Sequence, residues 1–332
     1  MTDKLVTRVV PAEFANIADA ARCLAEGGLV AFPTETVYGL GADATNGTAV
    51  ARLYAAKGRP SFNPLIAHVF DTAAARRLAV FEAAAERLAA AFWPGPLTLV
   101  LRRSASCAVT ELATAGLDSI AVRVPNHAVA RGLLSRLGRP IVAPSANRSG
   151  HVSSTTAEHV RFDLGGRIDM IIDGGPAPVG VESTIIACLG DPLLLRPGGL
   201  PRAEVERVLK RKLEDVPASA VDPESPIAPG MLASHYATKA RLRLRADSVR
   251  AGEALLAFGP KLPPGAEHAV LMLNLSPGGD LLEAAANLFS DLRTLDSAKA
   301  TAIAVMPIPY DGLGEAINDR LARAAAPRDV PR

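Results

Sequence analysis

Short apolar runs alternate with alanine-rich amphipathic stretches over residues 4–212 of the chain. Residues 14–26 show helical periodicity and end at Gly27-Gly28, and the apolar run at residues 29–32 follows. This alternation predicts an α/β domain in which helices pack on a twisted sheet. Further strands are predicted at residues 64–69, 97–101, 119–124, 141–143, 168–172, 184–189 and 193–195. Because some connections, such as residues 190–192, are too short for a helix, the sheet is predicted to be mixed.

Prolines interrupt this pattern after residue 216, where the sequence reads VPASAVDPESPIAPG. Proline cannot continue a helix or a central strand, so this stretch is predicted to be a stiff linker. Beyond it, strands are predicted at residues 241–245, 254–258, 269–273 and 301–306, and helices at 280–296 and 314–325. The chain is therefore predicted to comprise a mixed α/β domain (1–212), a linker (213–240) and a small Rossmann-like, doubly wound α/β domain (241–332).

The composition excludes several classes of function. The chain has 36 basic and 34 acidic residues, a formal net charge of +2, so any RNA contact must be local and weak. The amino terminus has no apolar core typical of a secretion signal, and no apolar run approaches about 18 residues, which predicts a cytoplasmic protein without membrane contact. Cys23, Cys107 and Cys188 are far apart, so neither a disulfide framework nor a thiolate metal site is indicated.

Polar residues cluster where predicted strands end, which is where ligands bind in open α/β sheets. After residues 29–32 comes PTETVYGLG, in which Glu35 and Thr36 lie near glycines that allow close approach to the backbone. A capped turn is the alternative interpretation. The string GLGADA at residues 39–44 also fits a dinucleotide fingerprint, but its glycines lie several residues beyond the strand. No acid-ended second strand follows, which argues against a nicotinamide-dependent dehydrogenase.

Two cations flank a glycine in the segment KGRPSFNPLIAH. Lys57 continues the apolar face of the preceding helix, so its ammonium is expected to face the cleft. Arg59 and the amide of Asn63 could join it in holding a triphosphate. The competing interpretation is that a helix C-terminus favours cations in any case. The Walker motif is absent, because the chain contains no Gly-Lys dipeptide.

Three further segments carry polar residues in or after apolar strands. Arg123 shares a sheet face with a small alanine and has no acid nearby in sequence, so its partner is either a distant carboxylate or that of a ligand. His68 ends an apolar run, a position where histidine is more often structural than catalytic. In APSANRSG, Ser145 and Asn147 are two residues apart and would face the same way if extended. No GxSxG elbow and no transition-metal spacing is present.

Seven segments in order, PTETVYGLG, KGRPSFNPLIAH, WPGPLTLVL, VRVPNH, APSANRSG, VESTII and RPG, closely resemble the threonylcarbamoyl-AMP synthase family and its YrdC-like domain. The linker followed by PGMLASHYA and a small α/β domain resembles the two-domain branch of that family. The resemblance implies a nucleotidyltransferase that joins L-threonine, bicarbonate or CO2, and ATP into threonylcarbamoyl-AMP and diphosphate. The product would serve N6-threonylcarbamoyladenosine modification of tRNA, with downstream tRNA threonylcarbamoyl-transfer proteins as partners.

The resemblance also implies which residues form the site. The L-threonine pocket would comprise Thr36, His68, Arg123, Ala143 and Ser183. ATP would contact Arg59, Asn63, Ser119, Ser145, Ser153, Arg196 and Tyr236. The residues expected to act in the reaction are Lys57, Arg59, Ser145 and Asn147. Mg²⁺ is expected to accompany ATP through phosphate oxygens and water, without a dedicated protein site.

Two other functions would use the same type of domain. A nucleotide- or RNA-binding regulatory module is the main alternative, and retention of the Ser-x-Asn and Lys-x-Arg motifs argues against it. Carbamoyl transfer from carbamoyl phosphate is expected only in proteins with additional large domains. The family's linker usually continues HYAP, and here Thr238 replaces the proline. The linker is still predicted to be a lid that brings Tyr236 over the nucleotide.

Overall fold

Two β-sheets organise the protein, which the computed structural model describes over residues 5–216 and 236–326. The strands of the larger sheet are β1 (Arg8–Pro11), β2 (Val30–Phe32), β3 (Gly39–Asp43), β4 (Ile66–His68), β5 (Leu97–Arg102), β6 (Ser119–Arg123), β7 (Ile141–Val142), β8 (Met170–Asp173), β9 (Thr184–Ala187), β10 (Leu193–Arg196) and β11 (Glu214–Asp215). They lie in the order β1-β8-β2-β3-β7-β4-β6-β5-β9-β10-β11.

Helices cover this sheet and connect its strands. They are α1 (Phe14–Ala25), α2 (Gly47–Lys57), α3 (Thr72–Leu78), α4 (Ala83–Phe92), α5 (Glu111–Thr114), α6 (Ala128–Leu137), α7 (Ala157–Leu164) and α8 (Arg202–Leu209). Local chemistry fixes the ends of α2, because the Asn46 side chain caps its first amides and Gly58 adopts a left-handed φ of 61° after its last turn. The helix therefore stops at Lys57, beside the segment that carries the site.

The predicted mixed sheet is confirmed. Strand β10 runs antiparallel to β9, as its short connection predicted, whereas β4 pairs with β6 and β5 pairs with β9 in parallel. The sequence pattern did not predict β1 or β3. Strand β3 contains the string that fits a dinucleotide fingerprint, but a Cβ on Gly41 would lie 2.7 Å from the Phe32 ring. This glycine therefore permits close packing within the sheet instead of forming a phosphate loop.

The smaller sheet and its helices form the second α/β unit. Its strands, β12 (Arg241–Arg243), β13 (Glu253–Ala257), β14 (Met272–Asn274) and β15 (Ala302–Val305), lie in the order β12-β15-β13-β14 and pair in parallel. The long helices are α9 (Leu281–Ser297) and α10 (Gly314–Ala325), and a 3₁₀ turn spans Ala266–His268. The small parallel domain agrees with the sequence-based prediction.

The predicted linker falls largely outside the described residues. Strand β11 pairs with β10, so the first sheet extends to Asp215, beyond the predicted end of the first domain at Lys212. Strand β12 begins at Arg241, where the second domain was predicted to begin. Residues 217–235, including His235 of the predicted lid, lie outside the described part of the chain.

The two domains share buried apolar contacts close to the polar motifs of the first domain. Val37, Val152 and Val181 belong to the same buried cluster as Phe289 and other residues of the second domain. The backbones also approach closely, because a Cβ on Gly180 would lie within 3.0 Å of the backbone of α9. The domains are therefore packed against each other beside the polar segments. Within the described ranges, no helix is long and apolar enough to cross a membrane.

Candidate functional site

A cavity of about 50 Å³ lies where polar residues end three strands of the large sheet. His68 ends β4, Arg123 ends β6, Arg196 ends β10, and Ala143 follows β7. The parallel pairing of β4 and β6 puts His68 directly beside Arg123. The complete lining is Val37, Arg59, Ile66, His68, Arg123, Ala143, Pro144, Ser145, Glu182, Ser183 and Arg196.

Arg123 has an acidic partner that the sequence did not identify. Its Nη2 lies 2.8 Å from Oε1 of Glu35, and both side chains are buried. Of the two partners that the sequence left open for Arg123, the distant carboxylate is therefore present. The charges are close, but neither the Glu35 oxygens nor Arg123 Nη2 has an aligned hydrogen bond within the described ranges. That nitrogen retains the capacity to donate to an anionic ligand.

His68 contributes a neutral imidazole to the cavity. Its Nδ1 lies 3.2 Å from the Ile66 carbonyl oxygen, and the ring is buried. Burial, and then the neighbouring Arg123, lower the pKa of His68 to about 3. The ring is therefore uncharged at physiological pH and can take part in hydrogen bonding without adding to the positive charge.

Two arginines add positive charge on the other sides of the cavity. Arg196 donates from Nε and Nη2 to the Ser183 carbonyl oxygen at 3.2 and 2.8 Å. Arg59 donates from Nη2 to Asn63 Oδ1 at 2.6 Å, so the predicted Arg59 and Asn63 pair is brought together. Burial lowers the pKa of each guanidinium to about 10, which leaves both charged at neutral pH. The cavity therefore favours an anionic ligand.

The Lys57 side chain lies behind the residues that line the cavity and is not part of that lining. Its side chain is buried, and Nζ donates to the carbonyl oxygens of Ser145, at 2.5 Å, and of Asn147. The expectation that its ammonium faces a triphosphate is therefore wrong for this structure. The last turn of α2 packs beneath the segment at 145–149, whose carbonyls need a donor. Burial lowers the pKa of Lys57, which makes these two acceptors important for retaining its charge.

Replacing Lys57 with methionine is expected to loosen this segment. The change removes a donor from two buried carbonyls, so the free energy of unfolding should fall by about 1–3 kcal/mol. The apparent affinities for ATP and L-threonine, the ligands implied by the family resemblance, should both weaken, because Lys57 holds the segment that begins with Ser145, two residues after Ala143. Thermal unfolding and steady-state kinetics would measure both effects, with Lys212→Met as the control at an ammonium that is 91% exposed. A defect confined to ATP, with unchanged stability, would contradict this role.

Asn147 does not face the cavity together with Ser145. The Asn147 amide N–H bonds to the Ser145 carbonyl oxygen at 3.0 Å, so the segment turns and is not extended. Ser145 lines the cavity, whereas Asn147 Nδ2 donates to the carbonyl oxygens of Arg148 and His151 at 2.8 and 2.9 Å. The expectation that the two side chains face the same way is therefore wrong.

Several other predicted site residues do not line the cavity. Thr36 is buried with its hydroxyl 2.8 Å from that of Thr34, and Ser119 begins β6 on the face that carries Arg123. Ser153 Oγ donates to Glu182 Oε1 at 2.6 Å. Tyr236 is buried between the domains and stacks on Phe289, with ring centroids 5.2 Å apart. Burial raises its pKa above the usual tyrosine range.

Sequence reasoning missed two charged residues at the site. Glu182 lines the cavity, and the only signal was an acid directly before Ser183 in an otherwise apolar segment. Arg320 is buried on α10, with Nε 2.8 Å from Glu182 Oε2. Its local sequence resembles the polar side of any amphipathic helix, so no signal pointed to it.

Three larger cavities lie elsewhere in the described part of the chain. One, of about 510 Å³, is lined by residues of α3 and α6, a second, of about 440 Å³, lies between α1 and α6, and a third, of about 520 Å³, lies between α7 and α9. None of the three brings together buried cations at strand ends, so the smaller cavity is the better candidate. In the part of the chain that the structure describes, no group of three or more His, Cys, Asp or Glu side chains could hold a metal ion.

Comparisons with known proteins identify the family of the chain. Residues 22–198 match a family model described as "Telomere recombination", and residues 200–326 match one described as "Threonylcarbamoyl-AMP synthase, C-terminal domain". Threonylcarbamoyl-AMP synthase of Bacillus subtilis (strain 168) is 42% identical over 95% of this chain and 94% of its own length. That of Pyrococcus abyssi is 44% identical over 95% of both.

The structural comparison gives the same result. Crystalline P. abyssi Sua5 complexed with L-threonine superposes with a TM-score of 0.86 at 39% identity, covering 97% of each chain. The fold and the cationic cavity thus define a two-domain α/β protein with a site for anionic ligands. The chain belongs to the threonylcarbamoyl-AMP synthase family.

Proposed function

We propose that this protein is an L-threonylcarbamoyladenylate synthase, a nucleotidyltransferase that forms threonylcarbamoyl-AMP and diphosphate for tRNA modification. The observation that carries the proposal is the convergence of Arg59, Arg123 and Arg196 on one cavity at the strand ends. Such a site suits a reaction among anions, and the family relationship supports the carbamate of L-threonine and ATP as these anions. The role in tRNA modification leads us to expect a cytoplasmic location and downstream threonylcarbamoyl-transfer partners.

L-Threonine would bind at the end of the cavity formed by β4 and β6. Arg123 Nη2, which is close to Glu35 but not aligned for a hydrogen bond with it, would donate to the α-carboxylate, while neutral His68 and Ser183 would hydrogen-bond to the amino acid. Ala143, whose amide donates to the Ile66 carbonyl oxygen at 3.1 Å, provides a small side chain against the ligand. These residues would orient the carbamate that forms on the threonine nitrogen.

ATP would bind toward Arg59, Ser145 and Arg196. Once the threonine nitrogen is a carbamate, its oxygen is already anionic and can attack the α-phosphorus without a strong base. The bond from that phosphorus to the bridging oxygen breaks, and diphosphate leaves with the electron pair. The protein's contribution would be to align the two anions and offset their repulsion. This accounts for arginines converging where a nucleophile–base pair would otherwise be expected.

The cavity must widen before both substrates can enter. Its volume of about 50 Å³ is well below the roughly 300–1,000 Å³ typical of small-molecule sites. Tyr236 lies at the domain boundary and follows the predicted lid, so movement there would provide access. Mg²⁺ would accompany ATP through phosphate oxygens and water, because the carboxylates of Glu35 and Glu182 are each paired with an arginine.

Diphosphate release with each substrate omitted in turn tests the function directly. Release should require ATP, L-threonine and bicarbonate together, and mass spectrometry should find threonylcarbamoyl-AMP. An Arg59→Met, Arg196→Met variant should lose most of this activity while retaining measurable threonine binding. A regulatory module would instead bind nucleotide without releasing diphosphate, and that result from the wild-type protein would overturn the proposal.

A further inference from the structure

A buried arginine of the second domain reaches the acid that lines the candidate site. Arg320 lies on α10 with a relative exposure of 0%, and its Nε donates to Glu182 Oε2 at 2.8 Å. Glu182 lines the cavity and directly precedes Ser183. The contact therefore joins a helix of the second domain to a wall of the site.

The Glu182 carboxylate also holds a residue predicted to bind ATP. Its second oxygen, Oε1, accepts a hydrogen bond from Ser153 Oγ at 2.6 Å. Arg196 also lines the cavity, and its guanidinium donates to the carbonyl and hydroxyl oxygens of Ser183. Arg320 and Ser153 thus donate to the two oxygens of Glu182. Arg196 therefore remains bound to Ser183 and not to the Glu182 carboxylate.

Arg320 determines whether Glu182 helps or opposes an anionic ligand. Burial would raise the pKa of Glu182, but Arg320 first and then Arg196 hold it at about 2, so the carboxylate is ionised. Without Arg320, this buried charge would attract Arg196 and repel a phosphate. One cation would then be withdrawn from the ligand and one anion left beside it.

We propose that Arg320 is a positioning residue for ATP that acts through Glu182. It neutralises the carboxylate, thereby keeping Ser153 in place and Arg196 available to a phosphate. The second domain thus completes the ATP site without contacting the nucleotide. This inference rests on the proposed function, in which ATP occupies the cavity.

A second arginine of that domain supports the same arrangement. Arg293, on α9, donates from Nη2 to the Val152 carbonyl oxygen and to Asp163 Oδ2, the latter at 2.8 Å. Val152 directly precedes Ser153. The segment that presents Ser153 is therefore held by the second domain at its backbone as well as through Glu182.

Calorimetric titration with Mg-ATP tests the role of Arg320. Arg320→Met should weaken ATP binding roughly 10- to 100-fold, because it leaves a buried charge unpaired. Threonine affinity should change less than about threefold, since Arg123 and His68 lie apart from Arg320. Arg320→Lys should recover part of the lost ATP affinity, because lysine restores the positive charge but not the forked set of donors of the guanidinium group. Equal weakening toward both ligands would overturn the proposal.

A double-mutant cycle separates charge compensation from packing. With Glu182→Gln already present, adding Arg320→Met should cost less than about threefold in ATP affinity, because the cavity wall then carries no carboxylate to be neutralised. Asp319, which also accepts from Arg320 Nη1 at 2.6 Å, keeps Arg323 as its partner in both backgrounds. If Arg320 served only to pack against Tyr236, 5.6 Å from its ring, the loss would be the same in both backgrounds. That equality would overturn the proposal. If Arg320→Met alone does not fold, the comparison of Glu182→Gln with the double variant still distinguishes charge compensation from packing.

Glu315 provides a matched control on the same helix. It accepts from Arg202 of α8 at 2.5 Å, so it joins the domains without touching Glu182. Glu315→Gln should leave ATP affinity within about twofold of wild type, since this pair is partly exposed. A wild-type protein that does not bind Mg-ATP would refute the proposed function itself. Binding and diphosphate release that are normal in both wild type and Arg320→Met would refute only the positioning role.

Discussion

Replacing Arg123 with alanine is expected to weaken threonine binding by about 2–5 kcal/mol, roughly 30-fold or more in affinity. The reason is the loss of the proposed charge-assisted contact to the α-carboxylate in a cavity lined by buried side chains such as His68 and Ser183. ATP affinity measured without threonine should change much less, because Arg59 and Arg196 remain. Calorimetry with each ligand separately would show the difference.

The ion pair with Glu35 requires two controls for this experiment. Removing Arg123 leaves a buried carboxylate unpaired, which can itself cost about 3–5 kcal/mol of stability. Arg123→Lys keeps the positive charge beside Glu35, so this variant should fold. It lacks the forked donors of the guanidinium group, so it should still bind threonine poorly. Glu35→Gln breaks the same ion pair while retaining Arg123, and it should bind threonine within severalfold of wild type. Wild-type threonine affinity in Arg123→Lys, or an equal defect in Glu35→Gln, would contradict carboxylate recognition.

Replacing Gly198 with alanine is expected to impair both folding and catalysis. A Cβ at this position would lie within 3.0 Å of backbone atoms of Glu182, Ser183 and Thr184, and backbone cannot move aside as a side-chain end can. Overpacking of this kind costs about 1–3 kcal/mol of stability. The displaced segment carries two residues of the cavity wall, and a shift near 1 Å can reduce activity about 100-fold.

Gly190 provides the matched control in the turn between β9 and β10. A Cβ there would meet nothing within 4 Å, so Gly190→Ala should leave activity and thermal stability close to wild type. Melting curves and kcat/KM of the two variants would be compared in parallel. If Gly198→Ala behaved like Gly190→Ala, the close backbone approach would not be important for the site.

Much of the element pattern could be predicted because buried strands and amphipathic helices have different hydrophobic periods. Strand β3 was not predicted, because its glycines resemble those of a ligand-binding loop. Strand β1 was not predicted either, because it is a short, largely exposed edge strand without an apolar run. The order of the strands could not be predicted. Pairing such as β1 with β8 joins segments distant in the chain, and periodicity carries no information about such partners.

The site was predictable where position along a strand determines side-chain placement. His68, Arg123 and Arg196 end their strands and meet at the same cavity. The direction of Lys57 was not predictable, because it depends on which carbonyls the folded chain brings within reach. Arg320 could not have been found, since its partner is in another domain. Motif resemblance supplied the predicted site residues, but it did not indicate which of them lie behind the cavity wall.

Three valines of the first domain are buried in the core of the second domain. This burial affects how a gene could lose the second domain. A gene that lost the second domain would expose Val37, Val152 and Val181 together, next to Thr36, Ser153 and Glu182. Such a patch promotes aggregation, so the loss could persist only if polar replacements arose at these positions. The same polar residues would weaken the contact between the domains if the second domain were later regained. Each of the two architectures is therefore expected to be difficult to convert into the other by single substitutions.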